Sequence, residues 1–387
     1  MKRKCLILLL AVLPFAACDI FLGQDPDTSA KAVLHSLWKD VLEFHAYMDI
    51  RMSNNLNFNS WESVYEHYSA QDMEGDKLFD VCSGMLGELK DEHVGLFAPD
   101  KRWIYTKPTD DKSQNTSSSP PNGTNQNVNI TENVRNYLAG QGHAQYTNFL
   151  YGEFLSARHI GYIRIKSFQD SKEPVGAYDW VRKIDNIIKS LENTDALIID
   201  IRDNNGGSTA AAEFAAARFA VEAKDYQKQS IKIGPGIRDF SAPVTFMVKP
   251  SGTQYAKPIV LLTNEQSVSA AEFFTLALRT QKHVIHAGTA TCGAISIRIE
   301  RSMINGWHYS ISGTRVTDMT GRIYEGRGIS PNIEFTDIPL EALPGDELPA
   351  LGDNTAVDGK NELLLPDPDW QLEKALTWLC KTINKEQ

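Results

Sequence analysis

Cysteine is scarce: the 387 residues hold five, and Cys5 and Cys18 fall at the extreme N-terminus. Cys82, Cys292 and Cys380 then allow at most one internal disulfide, so the chain is no disulfide scaffold and must rely on a buried apolar core. Positive charge is also in deficit, 39 Lys and Arg against 49 Asp and Glu, for a net charge of −10. No basic cluster with interleaved aromatics offsets this, which argues against a nucleic-acid partner. Beyond the N-terminal apolar run no stretch is long enough to cross a bilayer. The G-x-S-x-G of α/β-hydrolase esterases is missing. The His-x-x-His spacing of His283 and His286 encloses Val284 and Ile285 in an extended run that sends the two rings to opposite faces, so no metal site is expected.

What is present points to acyl transfer. An apolar strand, Pro258 to Thr263, runs into NEQSVSAAE, so Ser269 falls at a tight turn just before the helix AAEFFTLALR. A helix start offers unpaired N–H groups and the positive end of a dipole, both of which favour the oxyanion formed when a hydroxyl attacks a carbonyl. A second strand, Ala196 to Ile201, stops at Asn204, Asn205, Gly206 and Gly207, where adjacent glycines let backbone approach a ligand. A third stretch, GRIYEGRGISPNIEF, places Glu325 in a glycine-flanked turn between two short extended runs.

Taken in order, YIRIKSF, LIIDIRDNNGG, NEQSVSAAE, the G-x-x-T-x-G turn from Gly288 to Gly293, and EGRGISPNI resemble the catalytic domain of the S41 peptidases, the C-terminal-processing, tail-specific and tricorn-like proteases. The resemblance spans roughly Leu155 to Phe335. It implies an α/β fold, with a ClpP/crotonase-like layered catalytic core, in line with the alternation of strands and helices in this region. It also implies Ser269 as nucleophile, with the N–H of Ala270 and that of Gly206 or Gly207 as oxyanion hole, and no cofactor.

Ala294 stands where the processing proteases of that family carry their lysine base, and alanine cannot accept a proton. Lys282, Arg298 and Arg301 lie nearby in sequence but not at that position. Family members without the lysine carry a D-x-H motif, present here as Asp91 to His93, where a helical pattern gives way to an extended run. The resemblance then implies His93 as base and Glu325 as the carboxylate that orients it, the logic of a triad.

The flanks speak of location. MKRKCLILLLAVLPFAAC has a basic start, an apolar run and small residues before Cys18, which reads as a bacterial lipoprotein signal peptide (1–18) with lipidation at Cys18. A tether (19–30) leads to a helical subdomain (31–98). There Leu34, Leu37, Trp38, Val41 and Leu42 have helix spacing, and a second helix is expected to start at Asn59 with Glu62 three residues on. His45 and His67 read as interface or surface groups. The interval 99–150 is rich in Ser, Asn, Thr and Pro and reads as a polar loop, too short for the PDZ domain usual in processing proteases; its sequons are at Asn115, Asn122 and Asn129. The catalytic domain (151–340) contains a hairpin signal around Asn305 and Gly306 that would extend the sheet edge, and the C-terminal extension (341–387) ends in an amphipathic helix capped by Asp367 or Asp369. The expected protein is a secreted, lipid-anchored serine endopeptidase of the bacterial cell envelope, with a peptide or protein substrate. The alternative is an inactive S41-like pseudopeptidase that binds peptide or glycan there.

Overall fold

A computed structural model of the chain describes residues 27–107, 126–139, 148–157, 159–169, 179–335 and 369–386. The signal segment with Cys18, most of the tether, and the sequons at Asn115 and Asn122 lie outside them. The N-terminal part forms α1 (Ala30–Phe44), α2 (Met48–Ser53), α3 (Trp61–Ser69) and α4 (Lys77–Gly87), followed by β1 (Gly95–Phe97) and β2 (Arg102–Ile104). Ser60, not Asn59, caps α3, and Ser63 closes the capping box, because the serine hydroxyls sit one residue later than the Asn/Glu pair suggested. The interval expected to be loop holds β2 and the helix α5 (Gln126–Tyr137), in which Asn129 falls. Val134 of α5 is buried, so a little apolar area in a polar segment is enough once a sheet face is available to receive it.

The second part begins with β3 (Phe149–Glu153) and β4 (Ile160–Ile165), then α6 (Asp179–Arg182), α7 (Ile184–Ser190), β5 (Ala196–Asp200) and α8 (Thr209–Ala216). It continues through β6 (Lys224–Ile231), β7 (Val244–Val248), β8 (Ile259–Thr263), α9 (Ala270–Arg279) and β9 (Val284–Gly288). The strands β10 (Arg298–Ser302), β11 (His308–Ser312), β12 (Thr314–Thr317) and β13 (Ile333–Glu334) and the helix α10 (Trp370–Glu386) complete it. The central sheet has the order β13-β9-β8-β5-β4-β3, parallel except for the edge strand β3. Its inner strands ALIID and IVLLT are buried at every position, as continuous apolar runs covered on both faces must be.

Ala211, Ala212 and Ala215 of α8 pack with Phe273, Phe274 and Leu278 of α9 on one face, while Leu372, Leu376 and Leu379 of α10 fill the other. Asp369 caps α10 by accepting the N–H of Leu372 at 3.0 Å, and its carboxylate takes both Nη atoms of Arg202 at 2.8 Å, pinning the helix to the end of β5.

The Asn305–Gly306 hairpin forms, with Ser302 opposite His308, but it does not extend the parallel sheet. It belongs to a separate antiparallel sheet, β10-β11-β1-β2, and Tyr309 and Ile311 pack into the core of the helical subdomain. That pairing draws β1, and the residues just before it, onto the part that begins with β3.

Candidate active site

Ser269 sits between β8 and α9 with φ 57° and ψ −114°, a conformation that L residues rarely adopt and that costs about 1–3 kcal/mol. Two loops hold it there. On one side Val268 N–H donates to Asn204 O at 2.9 Å and Ser267 Oγ donates to Ile201 O at 2.8 Å. On the other, Cys292 N–H donates to Ser267 O at 3.0 Å. Ser267 is fully buried and also accepts Asn264 N–H, so its hydroxyl is structural. No side chain among the described residues hydrogen-bonds to the Ser269 hydroxyl.

The glycine turn lies directly against this serine. A Cβ on Gly206 would come within 2.9 Å of Ser269 Cβ and 3.1 Å of Ala270 N. Asn204 Oδ1 accepts the Gly206 N–H at 2.9 Å, so that N–H is already engaged. Among the described residues no acceptor takes the N–H of Gly207, which is exposed, or that of Ala270.

Glu272, in the first turn of α9, fastens the arrangement. Its fully buried carboxylate accepts Thr291 Oγ1–H at 2.7 Å, Gly293 N–H and Ala294 N–H at 2.9 Å, and Ser269 N–H at 3.1 Å. Burial pushes its pKa up to about 7 against the pull of these donors. A Glu272→Gln substitution turns an NH₂ toward donors and is expected to destabilise the fold by about 2–4 kcal/mol and to slow any reaction at Ser269. Urea denaturation beside a rate measurement checks both.

His93 lies between α4 and β1, and its main chain is fixed at both ends. Asp91 Oδ1 accepts its N–H at 2.9 Å and Ser310 Oγ donates to its carbonyl at 2.8 Å. The Nδ1 atom is 3.4 Å from Ser312 Oγ, and Nε2 has no partner among the described residues. Burial holds the pKa of the ring below 6.5; Asp91 opposes this, while Arg298, Arg51 and His45 reinforce it.

Glu325 is also buried, but its partners are others. Oε1 accepts Arg51 Nη2–H at 2.7 Å and Oε2 accepts Ile295 N–H at 3.1 Å. Burial, with Asp91 nearby, raises its pKa well above the usual carboxylate range. The described hydrogen bonds therefore join neither Glu325 to His93 nor His93 to Ser269.

Ala294 is buried and presents only its N–H, to Glu272, so this position holds no base. Lys282 follows α9 at the end opposite Ser269, about 15 Å away along the ten-residue helix.

Sequence reasoning passed over Arg51, His45 and Ser312 as site residues. His45, read as an interface group, is fully buried and bonds Asp91 Oδ2 through Nε2 at 2.9 Å. Nothing local in MDIRMS marks Arg51, because its partner is 274 residues away. A cleft of about 360 Å³ opens beside this cluster, lined by Arg51, Glu92, Tyr105, Cys292, Glu325 and Arg327 among others.

Residues 159–335 match the model of peptidase family S41. The chain is 27% identical over 189 residues to the chloroplastic C-terminal processing peptidase of Tetradesmus obliquus, a match that covers 49% of this chain and 37% of that protein. The chain spans well under half the length of the curated relatives it matches. Among solved structures, a candidate peptidase from Parabacteroides merdae superposes with a TM-score of 0.64 at 25% identity, covering 80% of this chain and 91% of that one. Mature CPAF complexed with lactacystin superposes with a TM-score of 0.56 at 15% identity, covering 79% and 94%, a likeness of fold. The match to peptidase family S41 is thus to the segment 159–335, somewhat less than half of the chain.

Proposed function

We propose that this protein is a serine endopeptidase, exported and held at the bacterial cell envelope by a lipid on Cys18. The observation that carries the catalytic reading is Ser269, held in a strained turn against the Gly206 loop, where the N–H groups of Ala270 and Gly207 have no acceptor among the described residues. Ser269 Oγ attacks the scissile carbonyl while His93 Nε2 takes its proton. The tetrahedral oxyanion falls to the N–H groups of Ala270 and Gly207, with Gly206 shaping the loop between them. Collapse breaks the C–N bond, His93 returns the proton to the leaving amine, and water activated by the same ring hydrolyses the acyl-enzyme. Substrate binding must bring Ser269 and His93 into hydrogen-bond contact, a tightening common to sites that assemble around substrate. Glu325 pairs with Arg51, whose guanidinium also lies beside Asp91.

Cleavage of an unfolded protein, read by mass spectrometry of the new termini, tests the assignment, with His93→Ala expected to be inactive. Because burial lowers the pKa of His93, kcat/KM should lose its acid limb through a midpoint below 6.5, so that most activity persists at about pH 6.5. A pH profile checks this. The buried Ala294 at the lysine position favours a second reading, a pseudopeptidase that binds peptide or glycan, and a folded protein that binds peptides without cleaving them would decide for it.

A further inference from the structure

We propose that His93 is positioned by Ser312 and by an Asp91–His45 brace, and that Glu325 serves Arg51 instead. The proposal rests on the reading of His93 as the base. A base at Nε2 must carry its own proton on Nδ1, and a partner at Nδ1 must accept it. The only group within hydrogen-bond reach of Nδ1 among the described residues is the Ser312 hydroxyl at 3.4 Å. Both Glu325 oxygens are already taken by Arg51 and Ile295, at 2.7 and 3.1 Å. Ser312 is itself fixed, since its carbonyl accepts Ala46 N–H at 2.7 Å and its strand bonds the His93 carbonyl through Ser310.

Asp91 supplies the carboxylate. It is fully buried, holds the His93 N–H through Oδ1, and favours the charged ring. His45 braces it from α1's end. Tyr47 N–H donates to His45 Nδ1 at 3.2 Å, so the His45 proton sits on Nε2 and points at Asp91 Oδ2, 2.9 Å away. The charged and titratable groups facing His93 are therefore Asp91 on its own turn, His45 at the end of α1, Arg51 on α2 and Arg298 on β10. In this arrangement Ser312 sets the tautomer and Asp91 stabilises the imidazolium. The helical subdomain thus supplies the base and the brace, while β11 supplies the acceptor.

Long-range ¹⁵N–¹H correlation spectra of protein labelled in histidine test this without requiring Ser269 to react. The expected spectrum has His93 as the Nδ1–H tautomer and His45 as the Nε2–H tautomer. Ser312→Ala should shift His93 toward Nε2–H and lower kcat by about tenfold or more with KM little changed. Ser312→Thr, which keeps the hydroxyl, should restore both, and Asp91→Asn should lower the titration midpoint of His93. Glu325→Gln should leave the His93 tautomer unchanged. An Nε2–H form of His93 in the native protein, or a tautomer that follows Glu325→Gln rather than Ser312→Ala, overturns the proposal. The expected tautomers in a protein that hydrolyses nothing would refute the peptidase reading and leave the positioning intact.

Discussion

Ser269→Ala is expected to reduce peptide hydrolysis by about 10⁴-fold or more while leaving the fold unchanged. The substitution removes one oxygen and nothing that holds the turn. The clamps on Val268, on Ser267 and on the Ser269 N–H are made by other atoms. Alanine suffers the same strain as serine at φ 57°, so thermal stability should match the native protein within about 1 kcal/mol. Glycine at the same position relieves the strain. Ser269→Gly should therefore be equally inactive yet more stable, by about 1 kcal/mol. Steady-state rates and melting curves of the three proteins check both statements. A gain in stability on loss of activity would mark the turn as built for the hydroxyl rather than for the fold.

Gly206→Ala has the second large effect, and here rate and stability fall together. The new methyl would lie 2.6 Å from Val268 O and 2.9 Å from Ser269 Cβ, at φ 82°. Neither neighbour is the free end of a flexible side chain, so the glycine loop and the serine turn must part. Their separation moves Gly207 N–H away from Ala270 N–H, and losing one oxyanion donor costs about 10²–10³-fold in kcat. The positive φ and the collision together should destabilise the fold by about 2–4 kcal/mol. Gly75→Ala makes an informative control, because φ is also positive there but no atom lies within 4 Å of the added methyl. It should lose only the conformational part, about 1 kcal/mol, and no activity.

The parts of this site that lie within one strand-turn-helix unit were legible in the sequence. Apolar runs such as ALIID and IVLLT announce buried parallel strands, and the glycines and the serine that follow them fall where such strands must end. The C-terminal helix was equally plain, with Leu372, Leu376 and Leu379 on one buried face. What the sequence hid is long-range. The bond from Arg51 to Glu325 spans 274 residues, and the approach of Ser312 to His93 across 219 residues follows the pairing of β11 with β1, where neither strand advertises its partner. The same pairing explains why the hairpin was misplaced: its alternation was readable, but not the sheet it joins. Asp91 entered only as the first residue of the D-x-H motif and His45 as an interface or surface group, because each alone is ordinary; their shared burial gives them a role. Glu272 was visible as a residue three positions after the serine, but its four donors come from two separate loops.

The most direct measurement of the central claim is labelling of the folded protein with a fluorophosphonate, followed by peptide mapping of the adduct. An activated Ser269 predicts one adduct, on that hydroxyl, lost in Ser269→Ala and strongly reduced in His93→Ala, with Ser267 unmodified. A folded protein that takes up no label, or that carries it on any other residue, would contradict the account.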